Sequence, residues 1–193
     1  MPRQTAAPKT LVFPDGFAMS ISTDGTTYTD VGVLQGGGSI TFNWTDFRID
    51  AGNYRQLVDK YIDPQIALAP SPVLDFDPAK IVVLFPGFMS SAAATTPVTG
   101  TDLSYAGTDR YGTLTRVYVK LSHYTVDNSD GLATDADIDW EFVLSNAKVD
   151  AGGSITITGA ESSDLSSVSV SFTGEPDPSD VSKFFNFYQL TAV

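Results

Sequence analysis

The string Asp137-Ile138-Asp139-Trp140-Glu141 carries acidic side chains at a spacing that suits two-carboxylate hydrolysis. In a β-strand every second side chain points to the same face, so the three acids share a face, with neighbours about 6.5 Å apart. At such a separation, one protonated and one ionised carboxyl group can cleave a glycosidic bond. The competing interpretation is a solvated strand face, which agrees with the acidity of the surrounding sequence.

The same string is similar to the Glu-x-Asp-x-Glu strand motif of retaining β-glucanases. Asp137 departs from that motif, because it stands in the place of the nucleophilic glutamate and is shorter by one methylene group. The glucanases are also longer and line a sugar cleft with several tryptophans, whereas this chain has 2 and Trp140 is expected on the face opposite the acids. We therefore prefer the solvated face and keep the glucanase-like hydrolase as an alternative.

Other residues that could do chemistry lack the necessary partners in the sequence. The acidic run from Asp127 to Asp139 offers carboxylates to calcium, but its glycine comes fifth rather than sixth and its twelfth residue is Ile138, unlike an EF-hand loop. The one histidine, His123, is predicted to end a strand and has no catalytic motif around it. We predict no catalytic residue, no metal and no cofactor.

The composition is that of a globular protein with an uneven charge. The chain has 193 residues, no cysteine, 42% apolar residues and a formal net charge of −12. Residues 121–182 hold 12 acidic side chains and one basic one, so this part is predicted to present an acidic surface. Such a charge disfavours tight binding of nucleic acid and docking on anionic lipid. The sequence also has no apolar run typical of a membrane helix or a signal peptide, which predicts folding in a cytoplasm.

Alternating hydrophobic residues predict a mainly β fold of short strands. Phe17 to Ile21, the turn Asp24-Gly25 and the return from Tyr28 to Leu34 predict a hairpin. Further strands are predicted at 40–44, 116–121, 138–144, 155–157 and 167–173. We expect one domain over residues 17–193, a β-sandwich or partly closed barrel, preceded by an extended arm at residues 1–16.

One short helix and a final strand complete the predicted elements. Asp77-Pro78 supplies a capping residue and a first-turn proline, and the helix then runs from Ala79 to Phe85. Ile81, Leu84 and Phe85 would lie on one helical face. The aromatic segment 183–190 is predicted to be a last strand or a docking arm.

Two segments lack a clean period and are predicted to be long loops. Residues 88–109 are rich in alanine, serine, threonine and glycine, and residues 45–73 are aromatic and charged. A long loop of the second kind commonly contacts another chain. Aromatic and arginine side chains dominate interface energetics, although aromatic residues could equally cap the core. The candidate subunit contacts are Phe47, Tyr54, Arg55 and Tyr61.

Taken in order, these elements resemble the tail tube (major tail) proteins of tailed bacteriophages. The resemblance begins at the hairpin of Ser20 to Gly32, places residues 45–73 at the family's inter-subunit loop and 77–85 at its helix, and ends with strands near 146–153 and 165–172. It implies a structural role without enzymatic activity. Members of the family form six-fold rings that stack into a hollow tube around a tape-measure protein, and DNA later passes through the tube.

The resemblance also implies the partners and the location of the protein. The partners are further copies in hexameric rings, the tape-measure protein, and tail initiator and terminator proteins. The chain would assemble in the host cytoplasm and end in the virion tail, with no membrane contact. An acidic lumen would repel phosphate and let DNA slide. The candidate lumen residues are Asp127, Asp130, Asp135, Asp137, Asp139 and Glu141.

Two further classes stay open beside the tail tube and the glucanase-like enzyme. An exported β-sandwich, such as an adhesin, a pilus protein or a carbohydrate-binding module, would suit the Asp-rich loops and the Ser/Thr-rich strands. A different virion part, such as a decoration or sheath-associated protein, is the nearest competitor.

Overall fold

The fold is described by a computed structural model of the chain. It covers residues 16–50, 57–70, 78–85, 87–94, 100–105, 115–124, 138–150, 153–156, 166–177, 179–180 and 183–189. In chain order the elements are β1 (Gly16–Ser22), β2 (Thr29–Val33), β3 (Gly38–Asp50), β4 (Leu57–Pro70), α1 (Pro78–Leu84), β5 (Met89–Ala94), β6 (Gly100–Tyr105), β7 (Val117–Tyr124), β8 (Ile138–Val149), β9 (Ser154–Thr156), β10 (Ser167–Ser169), β11 (Phe172–Gly174) and β12 (Phe185–Gln189). The predicted mainly β fold with a short helix is confirmed.

Eight strands form one antiparallel sheet in the order β2-β1-β7-β8-β11-β4-β3, and β12 pairs with β8 off this path. Two smaller sheets pair β9 with β10 and β5 with β6. Across these described strands the large sheet is an open path from β2 to β3. The partly closed barrel of the sequence prediction is therefore not formed by them.

The core covers one face of the large sheet. Alternation in the neighbouring strands β1, β7 and β8 places Met19, Ile21, Val119, Leu121 and Phe142 on the same face, and all five are buried. They belong to a hydrophobic cluster that also includes side chains of α1, β4, β10 and β11. Burying such side chains contributes about 1.5–3 kcal/mol each, so this cluster dominates the stability of the fold.

Helix α1 contributes the face that the sequence predicts. Ile81, Leu84 and Phe85 are all buried, with Phe85 just past the helix end. After Phe85 the chain turns sharply, because the Phe85 carbonyl accepts hydrogen bonds from the amides of Phe88 and Met89. Gly87, with φ of 78°, occupies the left-handed conformation typical of a helix end.

The β1–β2 turn is fixed by side-chain hydrogen bonds. The Asp24 carboxylate accepts hydrogen bonds from the backbone amides of Thr27 and Thr26, both at 2.8 Å, and from the Ser22 hydroxyl. These bonds, with that from Thr27 the strongest, hold the pKa of Asp24 well below its usual range. Gly25 follows at φ of 74°. The predicted Asp24-Gly25 hairpin is confirmed.

Strand β8 changes its partner partway along its length. Residues Trp140 to Leu144 pair with β12, whereas Ala147 to Val149 pair with β11. Between them Asn146 adopts φ of 54°, and the register with β7 shifts at the same place. This β-bulge allows β8 to pair with two strands, β12 and β11, along the same edge.

The prediction of a long loop at residues 45–73 is wrong over the described part of that segment. Strands β3 and β4 pair from Gly38↔Pro70 to Asp50↔Leu57, with one register shift between Ile49 and Asp50. A ladder of backbone hydrogen bonds forms these strands, and such bonds do not require alternating burial of side chains. The sequence did not predict these strands, because Pro64 and the mixed charges of the segment interrupt the alternation of apolar and polar residues.

Two further predictions need correction. Residues 88–109 contain the paired strands β5 and β6, where a loop rich in small residues was expected, and the Ser90 and Ser104 hydroxyls lie 3.0 Å apart across that pair. The alternating stripe 167–173 is not one strand. It is divided between β10, which pairs with β9, and β11, which pairs with β4 and β8. A stripe of one period cannot reveal such a change of partner.

Candidate assembly surface

The far half of the β3–β4 hairpin extends beyond the rest of the sheet. Strand β11 pairs with β4 only at Ile66 to Leu68, and residues 57–63 pair with β3. We call residues 45–50 and 57–63 the ribbon. At about 3.3 Å per residue, seven strand residues extend about 20 Å. An isolated two-stranded ribbon is marginally stable in water, so this part of the fold needs a further surface.

Two of the four sequence-predicted contact residues lie on the ribbon. Phe47 in β3 and Tyr61 in β4 are direct register partners. Tyr54 and Arg55 lie outside the described residues. The structure therefore places Phe47 and Tyr61 opposite each other across the ribbon.

Aromatic side chains continue from the base of the ribbon across the sheet. Each ring lies 4.8–6.5 Å from the next, centroid to centroid. The register of the strands places these residues on the face that carries the core. We call this set the aromatic row: Phe42, Phe185, Phe142, Phe187, Trp140, His123 and Phe17.

Part of the aromatic row is exposed. Phe142 is buried, whereas Phe187 is 59% exposed and Phe42 is 52% exposed. Trp44, two residues along β3 from Phe42, is 64% exposed. Scattered apolar side chains are common on protein surfaces, but contiguous aromatic groups usually mark an interaction site.

The sequence analysis missed this patch. The signal was present, since Phe42 and Trp44 are two residues apart, as are Phe185 and Phe187. Period-two spacing predicts that each pair shares a face. It does not predict that the two pairs, far apart in the chain, meet on one sheet.

Two of the predicted lumen acids are described, and each has a partner. The Nδ1 atom of His123 lies 2.5 Å from the Asp139 carboxylate. The Glu141 carboxylate lies 3.1 Å from the Lys120 ammonium and accepts a hydrogen bond from the Ser122 hydroxyl. The remaining acids of that prediction, Asp127, Asp130, Asp135 and Asp137, lie outside the described residues.

His123 is held mainly by packing. Its ring is stacked on Trp140 at 5.4 Å with an interplanar angle of 5°, and Phe17 meets it edge-on at 4.8 Å. The sequence prediction of an ordinary strand histidine omitted its carboxylate partner, Asp139, which is contributed by the neighbouring strand.

Neither a metal-binding cluster nor a membrane-spanning helix occurs in the part of the chain that the structure describes. No group of three or more histidine or acidic residues there is arranged to hold a metal ion. The helix α1 has 7 residues, and no described helix is long and apolar enough to cross a bilayer.

Comparisons with known proteins give a distant likeness among solved structures. No protein-family model and no curated protein sequence matches the chain. Among solved structures, the chain is similar to a chain of the cryo-EM structure of the anti-feeding prophage baseplate, 6-fold symmetrised, with 14% identity and a TM-score of 0.39 over 93% of this chain and 97% of that one. At this level of similarity the comparison assigns neither family nor function.

Proposed function

We propose that the protein is a structural virion subunit that assembles with copies of itself into stacked rings, forming the hollow tail tube of a phage. The observation that carries the proposal is the ribbon, which is about 20 Å long and has no third strand among the described residues. A subunit that completes its fold on its neighbours fits this geometry.

The aromatic row supplies a second surface for the same role. Its exposed members, Phe42, Phe185 and Phe187, together with Trp44, lie next to the ribbon. Aromatic anchors usually provide most of the binding energy of an interface, at about 2 kcal/mol or more for each hot-spot residue. We assign the ring and stacking contacts to the row, to the ribbon residues Phe47 and Tyr61, and to the sequence-predicted contact residues Tyr54 and Arg55.

The proposed tube encloses a tape-measure protein during assembly in the host cytoplasm. Initiator and terminator proteins lie at its two ends. In the virion tail, DNA passes through the tube without tight binding, as the net charge of −12 favours. Glu141 is paired with Lys120, so it adds little net negative charge to a lumen. The lining is therefore assigned mainly to Asp127, Asp130, Asp135, Asp137 and Asp139.

Negative-stain electron microscopy of concentrated protein tests the assembly. Rings or hollow tubes of uniform width are expected for the native chain, and Tyr61→Ser should remove them. Tyr188→Ser is the matched control, because Tyr188 is an exposed tyrosine on β12 and points away from the aromatic row. A folded native chain that stays monomeric even with added tail initiator and tape-measure proteins would contradict the proposal.

Charge reversal tests the lumen assignment separately. Asp127→Lys with Asp130→Lys should leave the tubes intact and reduce DNA ejection from assembled particles, because the new cations would hold phosphate. Glu161→Lys, an acid outside the assigned region, should leave ejection unchanged. Intact tubes that eject DNA as the native ones do, or a loss of assembly alone, would refute the lumen assignment but not the tube.

A further inference from the structure

A polar groove lies on the face of the large sheet opposite the aromatic row. Its volume is about 730 Å³, in the range of small-molecule binding sites. The floor comes from β7 and β8, one wall from the β1–β2 turn and the other from β12. The residues that carry the inference are Asp24, Tyr28, Tyr118, Lys120, Glu141 and Tyr188.

The floor of the groove is a fixed ion pair. The Lys120 ammonium lies 3.1 Å from the Glu141 carboxylate, and the two side chains are 24% and 18% exposed. The Ser122 hydroxyl donates a second hydrogen bond to Glu141. The same ammonium lies 5.0 Å from the centre of the Tyr28 ring, a cation–π distance. Each charge on the floor is therefore compensated within the protein.

The charges at the rim are also engaged. The Asp24 carboxylate accepts hydrogen bonds from the backbone amides of its own turn. The Lys183 ammonium lies 3.6 Å from the Asp180 carboxylate. A groove whose cations and anions already have partners does not select a strongly charged ligand. It offers hydrogen-bonding groups to a neutral polar ligand instead.

The tyrosines line the groove in fixed positions. The Tyr118 ring lies against Gly25, where an added Cβ would approach its Cζ atom to 2.9 Å. A side chain at this position would displace the Tyr118 ring, and the φ of 74° is a conformation that favours glycine. Burial raises the pKa of Tyr28, so its phenol keeps its proton and can donate a hydrogen bond. Tyr188, on the opposite wall, is 47% exposed.

We propose that this groove binds a neutral oligosaccharide. The C–H groups of a pyranose ring match the negative face of an aromatic ring, and three tyrosines supply such faces or edges. Hydroxyl groups of the sugar match the carboxylate, ammonium and amide groups of Glu141, Lys120 and Asn186. These groups lie on strands and on a tight turn, so little ordering is needed on binding. This activity would be separate from assembly through the ribbon.

Titration of the full chain with cellohexaose, maltohexaose and chitohexaose, followed by saturation-transfer NMR and calorimetry, tests the proposal. At least one of the three should bind. Glu141→Gln should weaken that binding about tenfold or more, because it removes a charged hydrogen-bond acceptor. Tyr188→Ala should also weaken it. Ile155→Ala, an exposed site on β9 outside the groove, should leave it unchanged.

The outcomes are distinct from those of the assembly tests. Failure of all three sugars to bind the folded native chain would overturn the oligosaccharide assignment, and so would binding that Glu141→Gln and Tyr188→Ala leave intact. Binding of the zwitterionic peptide triglycine in preference to every sugar would overturn it as well. Thermal unfolding of each variant establishes that the chain is folded. Tyr188 lies at the exposed rim, so its variant keeps the test valid if Glu141→Gln unfolds.

Discussion

The β1–β2 and β3–β4 hairpins are built from the same alternating pattern and differ in what covers them. In β1, Met19 and Ile21 are 0% and 1% exposed, whereas in β3 Phe42 and Trp44 are more than half exposed. The β1–β2 turn is also closed by its own side chains. Alternation therefore defines a strand and its two faces, but not whether the same chain covers the apolar face.

This contrast separates the folding of the subunit from its proposed assembly. The apolar face of the β1–β2 hairpin is covered within one chain, because β1 pairs with β7 and its side chains lie in the core. The β3–β4 hairpin is anchored at its base by β11, and its ribbon is left for a neighbour under the proposed function. Variants on the two hairpins should consequently affect different measurements.

The largest expected effect is on the stability of the subunit. Ile21→Ala should lower the free energy of unfolding by about 2–5 kcal/mol, because it leaves a cavity in the core. Phe42→Ala, at an exposed site, should change it by less than about 1 kcal/mol. Urea unfolding of the unassembled protein measures both. Equal losses for the two variants would mean that the β3 face is covered within one chain, and the comparison would fail.

The next effect is on association. Trp44→Ala should weaken self-association by about 2 kcal/mol or more, roughly thirtyfold, and leave the unfolding of the subunit nearly unchanged. Phe88→Ala serves as the control, since Phe88 is another exposed aromatic residue, 48% accessible, that lies after helix α1. Sedimentation velocity over a concentration series measures the change. An equal loss for both variants would show that general hydrophobicity, not the aromatic row, drives association.

A third test compares backbone protection. In the unassembled protein, amides of residues 57–63 should exchange with solvent faster than those of residues 117–121, because the ribbon pairs with no third strand among the described residues, whereas β7 lies between β1 and β8. Assembly should slow exchange in the ribbon about tenfold or more and leave β7 unchanged. Hydrogen-exchange mass spectrometry measures this directly. A ribbon already protected in the monomer would remove the main support for the proposed function.

The smallest effect concerns the β1–β2 turn. The folded pKa of Asp24 is depressed, so its stabilisation is fully present above the unfolded pKa of about 3.9 and is lost as the pH falls through the folded value. Asp24→Asn should lower the melting temperature by only a few degrees at neutral pH, and the difference should shrink in strong acid. A difference that stays constant with pH would mean that the carboxylate charge does not hold the turn.

The sequence predicted the elements whose signals are local. Asp24-Gly25 marked a turn and Asp77-Pro78 marked a helix start, and both features depend on the residues beside them. The β3–β4 ladder was missed because Pro64 and the mixed charges masked its alternation, and the split between β10 and β11 was missed because strand partners are set by residues far away in the chain. The aromatic row was missed for the same reason, since its rings come from five strands. The lumen acids and the subunit contacts at Phe47, Tyr54, Arg55 and Tyr61 stay predictions.

Asn146 has a consequence for which substitutions the chain can tolerate. Its φ of 54° excludes β-branched and bulky residues, and its side-chain amide donates hydrogen bonds to the carbonyls of Glu175 and Pro176. Glycine would accept the backbone geometry but lose both donors, and aspartate would direct an anion at two carbonyl oxygens. A saturation library screened for folding should therefore retain asparagine almost alone at this position, although no ligand or partner is needed to explain it.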